Sequence, residues 1–183
     1  TLRYDDRGIE GYTGNINNCT TEDFKNDASA GIEALRKRFD KVGVIGHSEG
    51  GTIAMMLAAE QKADFIISLA GMVISGAETL LLQNKDALAD AGFADDVIET
   101  YCNVIGEAFN VMVNGGHMPQ IDSYDLPDAL KQNYIAVLNQ IQMPYMKYFL
   151  SLDMRPILGK ITCPVLALNG TKDIQVDYER NLS

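Results

Sequence analysis

Lys41-Val42-Gly43-Val44-Ile45-Gly46-His47-Ser48-Glu49-Gly50-Gly51 is the stretch that decides the fold. Residues 41–46 form a short apolar run that reads as a buried strand. From about Glu49 to Glu60 the pattern is helical. Between them lies Gly46-His47-Ser48-Glu49-Gly50, a G-x-S-x-G sequence in a strand-to-helix context. A chain that passes from strand to helix so abruptly forces the serine into a strained backbone conformation. Gly46 and Gly50 flank it because side chains there are expected to collide with neighbouring elements, and Gly51 adds a third glycine. The turn lifts the Ser48 hydroxyl clear of the sheet at the N-terminus of a helix. There the Glu49 backbone amide faces the oxyanion that would form if Ser48 attacked a carbonyl. The other reading of the same residues is a glycine-rich turn whose serine only caps the helix.

Working outward, Leu2–Tyr4 reads as the end of a strand, Asp5-Asp6-Arg7-Gly8 as a polar turn, and the Gly- and Asn-rich residues up to Asn18 as a loop. Thr20 or Thr21 can cap a helix over Glu22–Phe39, whose apolar residues Phe24, Ala28, Ile32, Leu35 and Phe39 recur at spacings of three and four. Asp64–Ala70 is a second buried strand, and Pro164–Asn169 returns to the strand pattern after Pro156. Near-continuous apolar strands alternating with helices predict an α/β fold with a mostly parallel sheet, flanked by helices and covered on both faces. Residues 74–155 read as helix almost throughout. One stripe is Phe93, Val97, Tyr101, Ile105, Phe109 and Met112; another is Leu130, Tyr134, Val137, Leu138 and Ile141. The expected organisation is an α/β core from residues 1–73 and 156–183, interrupted by a helical insertion over 74–155.

Hydrophobic residues make up 46% of the 183 residues and charged residues 22%, a globular balance that excludes a disordered tail or a charge-rich coiled coil. No apolar stretch approaches the ~18–20 residues that span a bilayer. Nothing near Thr1 has the basic and apolar regions of a signal peptide. The compartment stays open: cytoplasmic if no leader precedes Thr1, exported if one does. The net charge of −10 is concentrated. Ten acids and the single base Lys85 fall between Ile74 and Leu130, while the rest of the chain is nearly neutral. Phosphate would be repelled, so nucleic acid is not an expected partner. Solvated helix faces are the ordinary meaning of such an excess; a preference for neutral or cationic ligands is secondary. Cys19, Cys102 and Cys163 are widely spaced and read as free thiols rather than a metal or disulfide framework. No metal or organic cofactor is implied.

A serine nucleophile needs a base and a group that orients the base. In this type of site the chain order is Ser, acid, His. Asn169-Gly170-Thr171-Lys172-Asp173 follows the last strand, which places Asp173 at the carboxyl edge of the sheet, the same edge as Ser48. Asp173 is the expected acid, with Asp177 as the fallback. Of the two histidines, His47 sits inside the turn as a packing residue. His117 lies in the insertion and precedes Asp173; as base it would break the order, which makes it the weaker candidate. The base is therefore expected beyond Ser183.

Three segments together resemble the α/β-hydrolase superfamily, and within it the serine aminopeptidase-like hydrolases and small-acyl esterases. Arg3-Tyr4-Asp5-Asp6-Arg7-Gly8 is similar to an R-Y-D-x-R-G turn of that group, and Gly46-His47-Ser48-Glu49-Gly50-Gly51 to its G-H-S-x-G-G elbow. Cys163–Gly170 through Asp173 is similar to its C-P-V-L-x-L-x-G-x-x-D segment. The resemblance implies a partial α/β-hydrolase fold, with residues 74–155 falling where that group inserts a helical cap. It also implies that the first strands and one oxyanion loop belong before Thr1, and the last strand and histidine after Ser183.

The expected activity is a serine hydrolase of carboxylic esters, with amides and thioesters as alternatives, acting on a small-molecule acyl substrate. The 183 residues alone are expected to be inactive and to self-associate. The competing expectation is a non-catalytic binding or assembly module on the same fold. The Arg3–Gly8 turn is expected to tie neighbouring turns together through charged hydrogen bonds. The methionines of the insertion, Met112, Met118, Met143 and Met146, are expected to pack in its core.

Overall fold

A computed structural model describes residues 1–5, 7 and 18–182. Along the chain run α1 (Thr21–Arg36), β1 (Gly43–His47), α2 (Glu49–Ala59), β2 (Phe65–Leu69), α3 (Gly76–Asp90), α4 (Asp95–Asn114), a 3-10 turn (Ile121–Ser123), α5 (Asp128–Ile141), α6 (Pro144–Ser151), α7 (Arg155–Leu158), β3 (Val165–Leu168) and α8 (Tyr178–Leu182). They divide into two compact units, Thr1–Ile74 with Asp153–Ser183, and Ser75–Leu152.

The first unit is a three-stranded parallel sheet in the order β1-β2-β3 with helices against it. The register aligns Val44, Ile66 and Val165 in one row and Gly46, Ser68 and Ala167 in another. Every residue of α2 from Gly51 to Ala58 is buried. A helix apolar on all sides belongs in a core, and here it lies against β1 and β2. Ile32 of α1, Val42, Ile53 and Leu57 close one cluster beneath β1. The amino ends of β1 and β2 are pinned together by the Asp64 carboxylate. It accepts from the Val42 amide at 2.7 Å and pairs with Arg36 at 3.0 Å. Those interactions, the Val42 hydrogen bond foremost, hold its carboxyl below the usual range.

The start of α1 is a capping box with Thr20 as N-cap. The Asp23 carboxylate accepts from the Thr20 amide at 2.9 Å and its hydroxyl at 3.0 Å. Arg7 grips the Asp27 carboxylate of α1 through one guanidinium edge, Nε donating to Oδ2 at 2.5 Å and Nη2 to Oδ1 at 2.7 Å. The expected tie was to loop backbone and neighbouring turns; Arg7 instead ties to a helix side chain. Asp6 and residues 8–17, which include the expected loop, lie outside the described residues.

Three expectations are corrected here. Leu2–Tyr4 is not a strand: a strand shares ladder hydrogen bonds with a neighbour, and these three residues are not part of the β1-β2-β3 sheet. The first helix ends at Arg36, leaving Phe39 outside it and 57% exposed, because the chain turns at residues 37–38 before the spacing can bring Phe39 inward. Among the described residues the sheet is not covered on both faces. Ile45 is 65% exposed and all four residues of β3 are exposed. Apolar content shows what a strand can bury, not whether the described residues bury it.

The second unit is a bundle built by α3 to α6. The α4 stripe supplies Tyr101, Ile105 and Phe109, all essentially inaccessible, and the α5 stripe supplies Leu130, Tyr134 and Ile141. Ile98, Val104 and Ala108 fill the flanks of the α4 stripe, and Phe93, Val97, Met112 and Met118 pack partly buried around it. Met143, in contrast, is exposed. Among the described residues, no helix is long and apolar enough to cross a membrane.

Candidate active site

Ser48 stands between β1 and α2 with φ 54° and ψ −119°. These are the values of the first central residue of a type II′ turn, where glycine is the usual occupant. A residue with a side chain adopts them at a cost of about 1–3 kcal/mol and only when its surroundings over-determine it. The surroundings here are specific. The Ser48 amide donates to the Leu69 carbonyl at 2.8 Å, which continues the β1–β2 ladder one residue past the strand. Its carbonyl accepts from Gly51 and Thr52 at 2.9 and 3.2 Å, which starts α2. The residue thus belongs to the sheet on one side and the helix on the other.

The glycines divide into two kinds. A Cβ on Gly46 would sit 1.9 Å from the Gly50 carbonyl oxygen and 2.6 Å from the Gly51 nitrogen, so β1 and the first turn of α2 meet backbone to backbone there. A Cβ on Gly50 would meet no described atom within 4 Å, so the collision expected at that position does not occur. Gly50 points into open space, while its backbone is what Gly46 must avoid. The tight second contact is at Gly51. Its Cβ would lie 2.8 Å from the Cα of Gly71 and from the Ser68 hydroxyl. One residue later, the Thr52 hydroxyl both accepts from the Met72 amide at 3.0 Å and donates to its carbonyl at 3.2 Å. The first turn of α2 is fastened in this way to the chain leaving β2.

Ser48 makes no side-chain cap on α2, and its hydroxyl has no hydrogen-bond partner among the described residues. The leading amides of α2, those of Glu49 and Gly50, precede the first residues that can bond back within the helix and so lack intrahelical acceptors. They stand at the positive end of the helix dipole. The Glu49 side chain is turned to α1, where Oε1 accepts from the buried Thr21 hydroxyl at 2.6 Å. Reading the sequence offered Thr21 only as a possible cap. Its actual role, tying α1 to the residue after Ser48, spans 28 positions and had no local signal. Ser48, Glu49, Gly50 and His47 open on a cleft of about 370 Å³, with Tyr4 and Phe24 among its apolar lining. A hydroxyl, leading helix amides and an apolar cleft are together suited to nucleophilic attack on a carbonyl and to holding the resulting oxyanion.

Asp173 lies five residues past the end of β3. The three strands are parallel, so Ser48 and the Asp173 loop leave the same edge of the sheet, two strand spacings apart or about 10 Å. The ladder persists to that edge, since Ala70, itself at φ 49°, donates to the Leu168 carbonyl at 2.7 Å. Asp173 Oδ1 accepts from the amides of Gln175 and Val176 at 2.9 and 3.1 Å. Its Oδ2 has no partner among the described residues. Asp177, the fallback acid, is committed elsewhere: its Oδ1 accepts from the Arg180 amide at 2.8 Å at the start of α8.

His47 is exposed at the end of β1 and lines the same cleft as Ser48. His117 is exposed in the link after α4, in the second unit. Neither histidine makes a hydrogen bond to Ser48 or Asp173 among the described residues. Among those residues, no group of three or more His, Cys, Asp or Glu side chains is placed to hold a metal ion. Sequence reading also passed over Asn169, whose amide crosses the Asp173 loop to the Val176 carbonyl at 2.7 Å. Its Oδ1 is buried without a partner among the described residues, a loss of about 1–3 kcal/mol for a sealed acceptor.

No protein-family model matches the chain. No curated protein matches it either. Solved structures do. It is similar to an α/β-fold family hydrolase from Bacillus anthracis str. Sterne, with a TM-score of 0.52 and 17% identity over 96% of this chain. It is also similar to the enol-lactonase from Burkholderia xenovorans LB400, with a TM-score of 0.51 and 15% identity over 97% of this chain. The chain spans 66% and 65% of the lengths of those two proteins. The fold is that of the α/β-hydrolases.

Proposed function

We propose that these residues are the nucleophile-bearing part of a serine hydrolase of carboxylic esters. Ser48 attacks the acyl carbonyl, the Glu49 amide helps hold the oxyanion, and Asp173 orients a histidine supplied by sequence outside these 183 residues. That histidine takes the Ser48 proton and passes it to the departing alcohol as the ester C–O bond breaks; water then attacks the acyl-enzyme, releases the acid and restores the Ser48 hydroxyl. The observation that carries the reading is the Ser48 backbone. It sits in a conformation suited to glycine, yet carries a hydroxyl that neither caps the helix nor bonds any described residue.

Three further observations support it. Asp173 keeps one carboxylate oxygen on loop amides and the other uncommitted. The spans of 66% and 65% of the neighbouring hydrolases leave room for a base elsewhere. One of those neighbours is an enol-lactonase, which agrees with an ester substrate. The substrate is a small acyl compound, neutral or cationic. The helical unit Ser75–Leu152 occupies the chain position of a cap insertion and is proposed to serve as one.

The test is a fluorophosphonate probe on the full-length protein, with the adduct located by peptide mass spectrometry. The expected result is a single adduct at Ser48 that disappears in Ser48→Ala. A folded full-length protein that stays unlabelled would overturn the proposal and leave a non-catalytic module. The 183 residues alone are expected to hydrolyse p-nitrophenyl esters no faster than buffer. Turnover that vanishes in Ser48→Ala would instead show that these residues hold a base and revive His117 as a candidate.

A further inference from the structure

Asn169 follows β3 directly, and its side chain spans the loop that carries Asp173. The Nδ2 group donates to the Val176 carbonyl at 2.7 Å, seven residues ahead. Inside that ring the Asp173 amide donates to the Gly170 carbonyl at 3.1 Å. Asp173 Oδ1 in turn accepts from the Gln175 and Val176 amides. Val176 is therefore held from both sides: its carbonyl by Asn169, its amide by the carboxylate. Its side chain is 2% exposed and anchors the loop in the core. Any shift at Asn169 is passed through Val176 to the Asp173 carboxylate.

Stability alone does not account for the residue. Asn169 Oδ1 is sealed and unpartnered among the described residues. An apolar side chain of similar size would leave no such acceptor behind. Asn169 therefore gains one hydrogen bond and seals one acceptor, and local rules broken in this way concentrate at functional sites. The loop geometry supplies that function. The acid of a nucleophile–base–acid site must hold one oxygen fixed so that the other is presented in one direction.

We propose that Asn169 is a positioning residue for Asp173: it clamps Val176, so that the carboxylate keeps Oδ1 on the loop amides and leaves Oδ2 for the base. This inference rests on the serine-hydrolase reading, in which Asp173 orients the base.

The test uses the full-length protein with Asn169→Leu, which removes the clamp and the sealed oxygen. Asn169→Asp is the second variant; it keeps the shape and turns the donor into an acceptor facing the Val176 carbonyl. Both are expected to lower kcat for a p-nitrophenyl ester by about 10–100-fold, the scale of a small misplacement of a catalytic group, with KM within about twofold. The acidic limb of the kcat/KM profile should move to lower pH, because a loosened carboxylate stabilises the protonated base less. Amide hydrogen exchange at Gln175 and Val176 should accelerate by about tenfold or more, while the Tm of Asn169→Leu stays within about 3 °C of wild type. A wild type unlabelled by fluorophosphonate at Ser48 overturns the hydrolase reading and this role with it. A labelled wild type whose two variants keep kcat, pH profile and exchange rates overturns the role of Asn169 alone.

Discussion

Ser48 occupies φ 54°, ψ −119°, a region that strains any residue with a Cβ and suits glycine. Removing the side chain should therefore relax the backbone. The expected outcome is that Ser48→Gly unfolds in urea with a stability about 1 kcal/mol above wild type. Ser48→Ala, which keeps the Cβ, should show no such gain. Both should be inert to fluorophosphonate. A Ser48→Gly protein less stable than wild type would show that the backbone is relaxed and the strain argument mistaken. The residues beside it differ in how visible they were in the sequence. The turn at Ser48 and the loop position of Asp173 were legible because each follows a local pattern, an elbow between apolar run and helix for one and a Gly-containing turn after a strand for the other. Thr21 and Asn169 were not. Thr21 acts on Glu49, which is remote in sequence, and Asn169 acts through a side-chain bond across its loop. Neither leaves a periodicity.

Packing between elements separates Gly46 from Gly50, which the motif treats alike. Gly46 is where β1 and α2 touch through their backbones, and no rearrangement of a flexible side chain can make room for a methyl group 1.9 Å from a carbonyl oxygen. Gly46→Ala is expected to lower stability by about 3 kcal/mol or more, at the severe end of overpacking. Gly50→Ala meets open space inside a helix and is expected to be neutral or to stabilise by up to about 1 kcal/mol. Because Gly50 lines the cleft, the same methyl group should slow labelling of Ser48. Thermal and urea unfolding of the two variants side by side checks the contrast, and equal losses would refute it. Elements in this fold were legible where burial enforces a period, as in β2 and the stripes of α4 and α5. They were misread where the period ran past its support. The helical spacing that includes Phe39 continues after the helix has turned out at Arg36, and the apolar alternation of Leu2–Tyr4 lies outside the β1-β2-β3 sheet.

Across the whole molecule, the sheet unit carries an apolar surface that the described residues do not cover. Ile45, Phe65, Val165, Leu166 and Leu168 are each 41–65% exposed, and β3 is an edge strand. Edge strands with apolar, uncharged faces pair readily with other chains. The 183 residues alone are therefore expected to elute from size-exclusion chromatography as a dimer or larger species. Substituting Leu166 and Leu168 by Lys should shift them toward monomer. A monomeric wild-type chain at high concentration would count against the expectation. The fold class was legible at this scale because strands and helices alternate, and the concentration of acids in residues 74–130 set that stretch apart. An exposed edge and apolar faces were expected from the strands that the resemblance places outside these residues; which side chains stand exposed was not, because composition cannot say which apolar surfaces find a partner.

The chain leaves the sheet unit after Ile74 and rejoins it at Asp153, and the outgoing and returning segments are stitched by two backbone bonds, from the Met154 amide to the Val73 carbonyl and from the Gly76 amide to the Leu152 carbonyl, each at 3.0 Å. Asn181 secures the outgoing strand of that stitch by accepting from the Val73 amide at 2.6 Å. An insertion rooted in so narrow a stem behaves as a cartridge. A short bridge is expected to close its stem, and a foreign helical segment with neighbouring termini is expected to be accepted in its place without re-threading the sheet. Exchange of such a segment by recombination would leave the strand register of the sheet unit intact.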